Sequence, residues 1–132
     1  MAPTPKVLAC LIADAVRSET NGKLTLLGFC GITPNVTLGI KDINSPVQVA
    51  FIFSLERGNG RFALSCEISH ERTSQVIVHT DPQSIAITPK DAPYLVFQYV
   101  VMIPATGTYR IRLLDGTRPH YTTTFEILHG LP

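Results

Sequence analysis

The sequence has no tryptophan, only two methionines, and charged side chains at 16% of its 132 positions. The charges nearly cancel, 11 Lys and Arg against 10 Asp and Glu. With no basic stripe there is nothing to neutralise a phosphate backbone, so nucleic acid is not an expected partner. Cysteine is scarce: Cys10, Cys30 and Cys66 form an odd set with no short spacing. That excludes a disulfide framework or a zinc finger, and the three read as small buried hydrophobes. No apolar run approaches the roughly 18 residues needed to span a bilayer. The run from Val7 to Ala13 follows a single Lys6 and straddles Cys10 instead of preceding it, which fits neither a signal peptide nor a lipoprotein anchor. The Asn35-Val36-Thr37 sequon therefore has no expected use. The expected location is the cytoplasm, with no membrane partner and no cofactor.

Helical periodicity is also missing. No window places apolar residues at a spacing of three and four over three turns. What is present instead is a series of strand-length runs punctuated by Gly, Pro and Asn. Lys6 to Gly31 reads as two long strands joined through Asn21-Gly22, a pair that tolerates positive φ. Residues 7–16 carry Asp14 as their one charge and are apolar on both faces, the pattern of a central strand. Tyr94 to Ile103 has the same character and is placed centrally as well.

Between them, Pro46 to Glu56 alternates, with Val47, Val49, Phe51, Phe53 and Leu55 on one side and Gln48, Ser54 and Glu56 on the other. Arg57-Gly58-Asn59-Gly60 turns the chain into Arg61 to His70, which also alternates. Shorter runs at 36–40, 75–79 and 85–87 suggest minor strands. Tyr109 to Leu114 and Tyr121 to Leu128 close the domain around Asp115-Gly116. The prediction is an all-β fold, an antiparallel two-sheet sandwich of eight or nine strands spanning 6–129, behind a disordered Pro-rich tail at 1–5.

Gly107-Thr108-Tyr109-Arg110-Ile111 resembles the tyrosine corner of immunoglobulin-like domains, where a Tyr opening a late strand ties its hydroxyl to nearby backbone. Ile111 stands where antibody domains carry a cysteine, so the inter-sheet disulfide is not expected. A second resemblance rests on Asp14 in an apolar strand followed by Gly22-Lys23-Leu24 and Leu27-Gly28-Phe29. This segment is similar to the start of a family of small uncharacterised bacterial all-β proteins, and Gly107-Thr108-Tyr109 suits the same family. The resemblance implies a prokaryotic, cytoplasmic β-sandwich of unassigned activity, and it carries no catalytic residue across.

Chemistry finds little purchase. His70, His79, His120 and His129 share no metal-ligand spacing. His70 and His79, with Glu67 or Asp81 nearby, would be the pair for a metal-dependent enzyme, but solvated loop and strand-end histidines are the favoured reading. No G-x-S-x-G elbow occurs, and cysteines in apolar strands have raised, not lowered, thiol pKa values. Asp14, in a run expected to be buried, requires solvent or a partner such as Arg17 or Lys23.

Two functional classes remain. The first is a non-enzymatic interaction or assembly module, expected to pair with its own copy or another protein. If strands 7–16 and 94–103 lie side by side, one parity of Leu8, Ile12, Val16, Leu95, Phe97 and Val101 forms an apolar patch on the outside of a sheet. That patch needs a lid: a second copy, another protein, or the loop 80–93. The second is a small-molecule or carbohydrate-binding module using loops 31–46 and 80–93, although Tyr99 and Tyr121 are its only candidate aromatic platforms.

Overall fold

The computed structural model describes residues 5–20, 23–90 and 93–130. The Asn21-Gly22 turn, residues 1–4 of the tail, and residues 91 and 92 lie outside the described residues. Ten strands occur among those described: β1 (Lys6–Ser18), β2 (Leu24–Ile32), β3 (Thr37–Ile40), β4 (Pro46–Glu56), β5 (Gly60–His70), β6 (Val76–His79), β7 (Gln83–Ile87), β8 (Tyr94–Met102), β9 (Gly107–Asp115) and β10 (Arg118–His129). The count exceeds the expected eight or nine because all three short runs, now β3, β6 and β7, pair as strands. Pro5, the last residue of the segment read as tail, is buried, and its carbonyl accepts a hydrogen bond from His120 Nε2 at 2.5 Å.

The strands form two sheets. One runs β2-β1-β4-β8, and the other runs β3-β10-β9-β5-β6, with β7 sharing the outer edge of β5. All pairings are antiparallel except β3 with β10. The period-2 alternation of the long strands sends one set of side chains between the sheets. Phe51 and Phe53 on β4 and Phe97 on β8 meet Tyr109 on β9 and Phe125 on β10 there. Phe51 and Phe125 join the two layers with ring centres 5.9 Å apart, and Phe53 meets Phe97 edge-on at 5.9 Å. Tilted and edge-on rings satisfy the aromatic quadrupole while filling volume.

Two placements differ from the sequence reading. Strands 7–16 and 94–103 are not neighbours: β4 lies between β1 and β8, and β8 is an edge strand. The strand buried on both faces is β4, where Val49 to Phe53 are all buried. Ala50 and Ile52 are responsible, because they replace polar residues on the side of β4 where Gln48 and Ser54 flank them.

Tyr109 forms the corner expected of it. Its ring is buried, and its hydroxyl donates to the Ala105 carbonyl at 2.6 Å. With two packed, mainly antiparallel sheets and this corner, the architecture is an immunoglobulin-like β-sandwich that holds together without the inter-sheet disulfide. The outer face of the larger sheet is wet. Arg110 meets Glu71 at 3.6 Å, Arg112 meets Glu67 at 3.7 Å, and Thr108 Oγ1 donates to Glu126 Oε1 at 2.5 Å.

Replacing Tyr109 with Phe removes one hydrogen bond and keeps the ring. We expect a loss of about 1 kcal/mol, seen in urea unfolding as a lower midpoint at unchanged slope.

Candidate interaction face

β1 pairs with β4 only as far as Ala13 opposite Ala50, then continues as a two-stranded ribbon with β2 to Ser18 opposite Leu24. Two irregularities interrupt its pairing: Leu8 is the extra residue on β1 opposite Leu55 and Ser54 of β4, and Cys30 is the extra residue on β2 opposite Ile12 and Ala13. Bulges increase twist and bend the strand that carries them. Gly28 adds to the bend. It stands at φ +62 between the pairs Ala13–Phe29 and Ala15–Leu27, and a Cβ there would lie 2.1 Å from Asp14 Oδ2. The Asp14 carboxylate thus occupies the space a side chain would need, on an exposed stretch of strand. Asp14 is exposed, which meets the solvent alternative of the sequence reading, and the glycine opposite leaves room for its carboxylate.

The bent ribbon folds over the outside of the smaller sheet. Val16 and Leu26 pack on Ala13, Ala50 and Ile52, joined by Leu11 and Val96. The Val16 amide donates to Gln98 Oε1 of β8 at 2.6 Å, which ties the ribbon to the far edge of the sheet. The register aligns Ile32, Leu11, Ile52 and Val96 in one row across all four strands, with Phe29, Ala13, Ala50 and Gln98 in the next. Ile52 is 1% exposed at the centre, whereas at the margins Phe29 is 53%, Ile32 52%, Tyr94 56%, Val100 66% and Met102 52% exposed. A groove of about 410 Å³ crosses this face, lined by Leu11, Leu24, Leu26, Ile52 and Tyr94, with Lys23 at its rim.

The apolar face exists, but with the opposite parity. Ile12, Leu95, Phe97 and Val101 point into the core between the sheets. Leu8 is exposed at a bulge, and Val16 is half-buried in the outer cluster. A strand apolar on both faces does not reveal which parity faces in, and the bulge at Leu8 of β1 resets the alternation. The residues missed are Leu11, Ala13, Ala50, Ile52, Val96 and Val100. The signal that could have found them is Ala50 and Ile52 between Gln48 and Ser54 in a strand otherwise polar on that side. Part of the lid is the chain's own first hairpin, not the loop 80–93.

Loops 31–46 and 80–93 do not converge. The Asn44 amide bonds Ile103 O and the Leu55 amide bonds Pro93 O, at opposite ends of β4, about 30 Å apart for a strand of that length. Both segments also contain strands, β3 and β7. Tyr121 packs on Phe53 from within the sandwich.

His70 and His79 lie on opposite faces of their sheet. His79 is exposed, with Nδ1 3.3 Å from Glu67 Oε2. His70 is buried: its Nε2 meets Thr106 O at 3.0 Å, and its Nδ1 faces the Arg72 and Thr73 amides, each at 3.2 Å. Two amide donors on Nδ1 make it the acceptor, so Nε2 carries the proton and both ring nitrogens are occupied with backbone. Gly107, at φ +128, lets the chain pass there, since a Cβ would lie 2.8 Å from His70 Nε2. His70 is therefore a structural tie between the β5–β6 and β8–β9 connections. Among the described residues, no group of three or more His, Cys, Asp and Glu is placed to hold a metal ion.

The cysteines are unpaired. Burial pushes the Cys10 thiol up to about 12 from 9.0, against a smaller opposing effect of its hydrogen bond with Thr33. Burial pushes Cys66 up further, and Cys30 is raised by burial and then by the Asp14 charge. Such thiols stay protonated and are poor nucleophiles at neutral pH.

No protein-family model and no curated protein matches the chain. Among solved structures, one that is similar is the crystal structure of an immunoglobulin-like protein from Pseudomonas aeruginosa. It is 13% identical, over 93% of this chain and 92% of that one, with a TM-score of 0.41. The likeness is too slight to carry an argument, and the sandwich assignment rests on the sheets and the tyrosine corner described above.

Gly28→Ala places a methyl group on Asp14 and forces an L-residue to positive φ, at a cost of about 1–2 kcal/mol. In the Asp14→Ala background the Gly28→Ala penalty should shrink, and a double-mutant cycle by urea unfolding measures the difference. For the thiols, a disulfide reagent at pH 8 should label Cys30 first, with Cys10 and Cys66 reacting only in denaturant. A raised thiol pKa means that the folded state keeps a proton which the unfolded chain releases. Stability from Cys10 and Cys66 is therefore complete below pH 9 and falls between pH 9 and 12, read as a declining urea midpoint.

Proposed function

We propose that this chain is a non-enzymatic assembly module that works by protein contact, and that its partner is a second copy of itself. The observation that carries the reading is the contrast between the two outer faces. The larger sheet presents ion pairs to solvent. The smaller sheet presents Phe29, Ile32, Tyr94, Val100 and Met102 around a dry centre at Ile52. The outer face of an antiparallel sheet in a two-layer sandwich is ordinarily polar, and contiguous apolar surface on a small domain marks a contact site. The face carries no dense charge that two copies would have to bring together. Three unpaired thiols support a reducing, intracellular setting.

Light scattering on the purified protein at high micromolar concentration tests the reading. We expect a mass of twice the 14.4 kDa chain. A strict monomer under those conditions overturns it.

A further inference from the structure

The backbone of β8 has one free side. The Leu55 amide bonds Pro93 O, and the Asn44 amide bonds Ile103 O, so odd-numbered residues here turn their backbone groups inward, toward β4 and its entry loop. In an antiparallel strand the N–H and C=O of one residue point to the same side, and the side alternates along the chain. Tyr94, Val96, Gln98, Val100 and Met102 therefore direct their backbone groups away from β4, toward an edge where no strand pairs among the described residues. The bond from Gln83 Nε2 to Val96 O, 3.2 Å, approaches from that open side and agrees with the assignment.

Sheet edges are normally protected by charge, proline, bulges or brevity. Three of the four edges here are. β2 is broken by the irregularity opposite Ile12–Ala13 and by Gly28. β3 has four residues. The edge beside β5 is divided between β6 and β7, with Asp81 and Pro82 in the gap. β8 has none of these devices: nine residues, YLVFQYVVM, with no charge, proline or glycine and an unbroken register with β4.

From this contrast we infer that the free edge of β8 is a strand-addition site, and that a second copy of the same strand fills it, antiparallel, across a two-fold axis. This rests on the self-association reading above and specifies how it is achieved. The free-edge residues are symmetric about Gln98, so full overlap sets Gln98 opposite Gln98 of the second copy, Val96 opposite Val100, and Tyr94 opposite Met102. That register forms about ten backbone hydrogen bonds and brings no charge against another. It also joins the two smaller sheets into one continuous sheet of eight strands. The apolar outer side chains nearest the seam, Tyr94, Val100 and Met102, are the most exposed of β8, and pairing brings them together. The Gln83 side chain, bonded to Val96 O, must swing aside.

Two variants test the mode of contact separately from contact itself. Val100→Pro removes an N–H that faces the free edge and leaves every bond to β4 intact; edge strands tolerate proline there. We expect it to keep the wild-type circular dichroism spectrum, and the wild-type urea midpoint at dilutions where both are monomeric, while weakening self-association by about tenfold or more. Gln98→Cys, in a Cys30→Ser background with oxidised glutathione, should give a disulfide-linked dimer, because directly opposed residues of a hydrogen-bonded pair lie about 5.5 Å apart at Cα. This second result does not depend on the proline variant folding. A wild-type monomer overturns both the self-association reading and this inference. A wild-type dimer that survives Val100→Pro and gives no cross-link at position 98 overturns the inference alone. The same holds if Ile32→Lys, at the far side of the sheet, dissociates the dimer while Val100→Pro does not.

Discussion

Everything in this fold depends on β4 being dry on both sides. Its inner side chains, Phe51 and Phe53, meet rings from the opposite sheet and fix the distance between the layers. Its outer side chains, Ala50 and Ile52, are small enough or central enough to be covered by Val16, Leu26 and Val96. Had Ala50 and Ile52 been polar, the first hairpin would have no apolar surface to fold over. The smaller sheet would then resemble the larger one, with a solvated outer face.

The ribbon's bend follows from the same constraint. An apolar outer face is costly in water, and the nearest available cover is the hairpin that leaves β4 at Ala13. Bending it requires relief of strand regularity, which the bulge at Cys30 of β2 and the positive φ of Gly28 supply. Asp14 sits over that glycine and faces solvent, so the one charge of residues 7–16 stays hydrated. The cover is partial. It dries Ile52 and leaves the margins of the sheet, above all β8, unprotected. An edge without charges beside an apolar face is a combination that natural sheets avoid unless something pairs with it.

His70 illustrates how a residue with chemical potential can be wholly absorbed by structure. A histidine near the end of a strand, with carboxylates close in sequence, invites a metal or catalytic reading. Here both ring nitrogens are taken by backbone groups of two connections, and the ring stacks edge-on against Tyr109 at 5.0 Å. The tyrosine corner and this histidine brace the same end of the sandwich.

Much of the architecture was legible in the chain because strand alternation and turn residues are local signals. The helix-free class, the two sides of β4 and the alternation of β5 follow from spacing, and the Tyr109 corner from its resemblance to immunoglobulin-like domains. The neighbour relations did not. Which strand separates β1 from β8 depends on contacts between residues distant in sequence, and two strands apolar on both faces look alike whether central or at an edge. The parity of the candidate face was likewise beyond reach, since a bulge shifts alternation by one residue and leaves composition unchanged. Local chemistry thus settled what kind of layers form. Only tertiary packing decided which apolar side chains those layers hide and which they leave exposed.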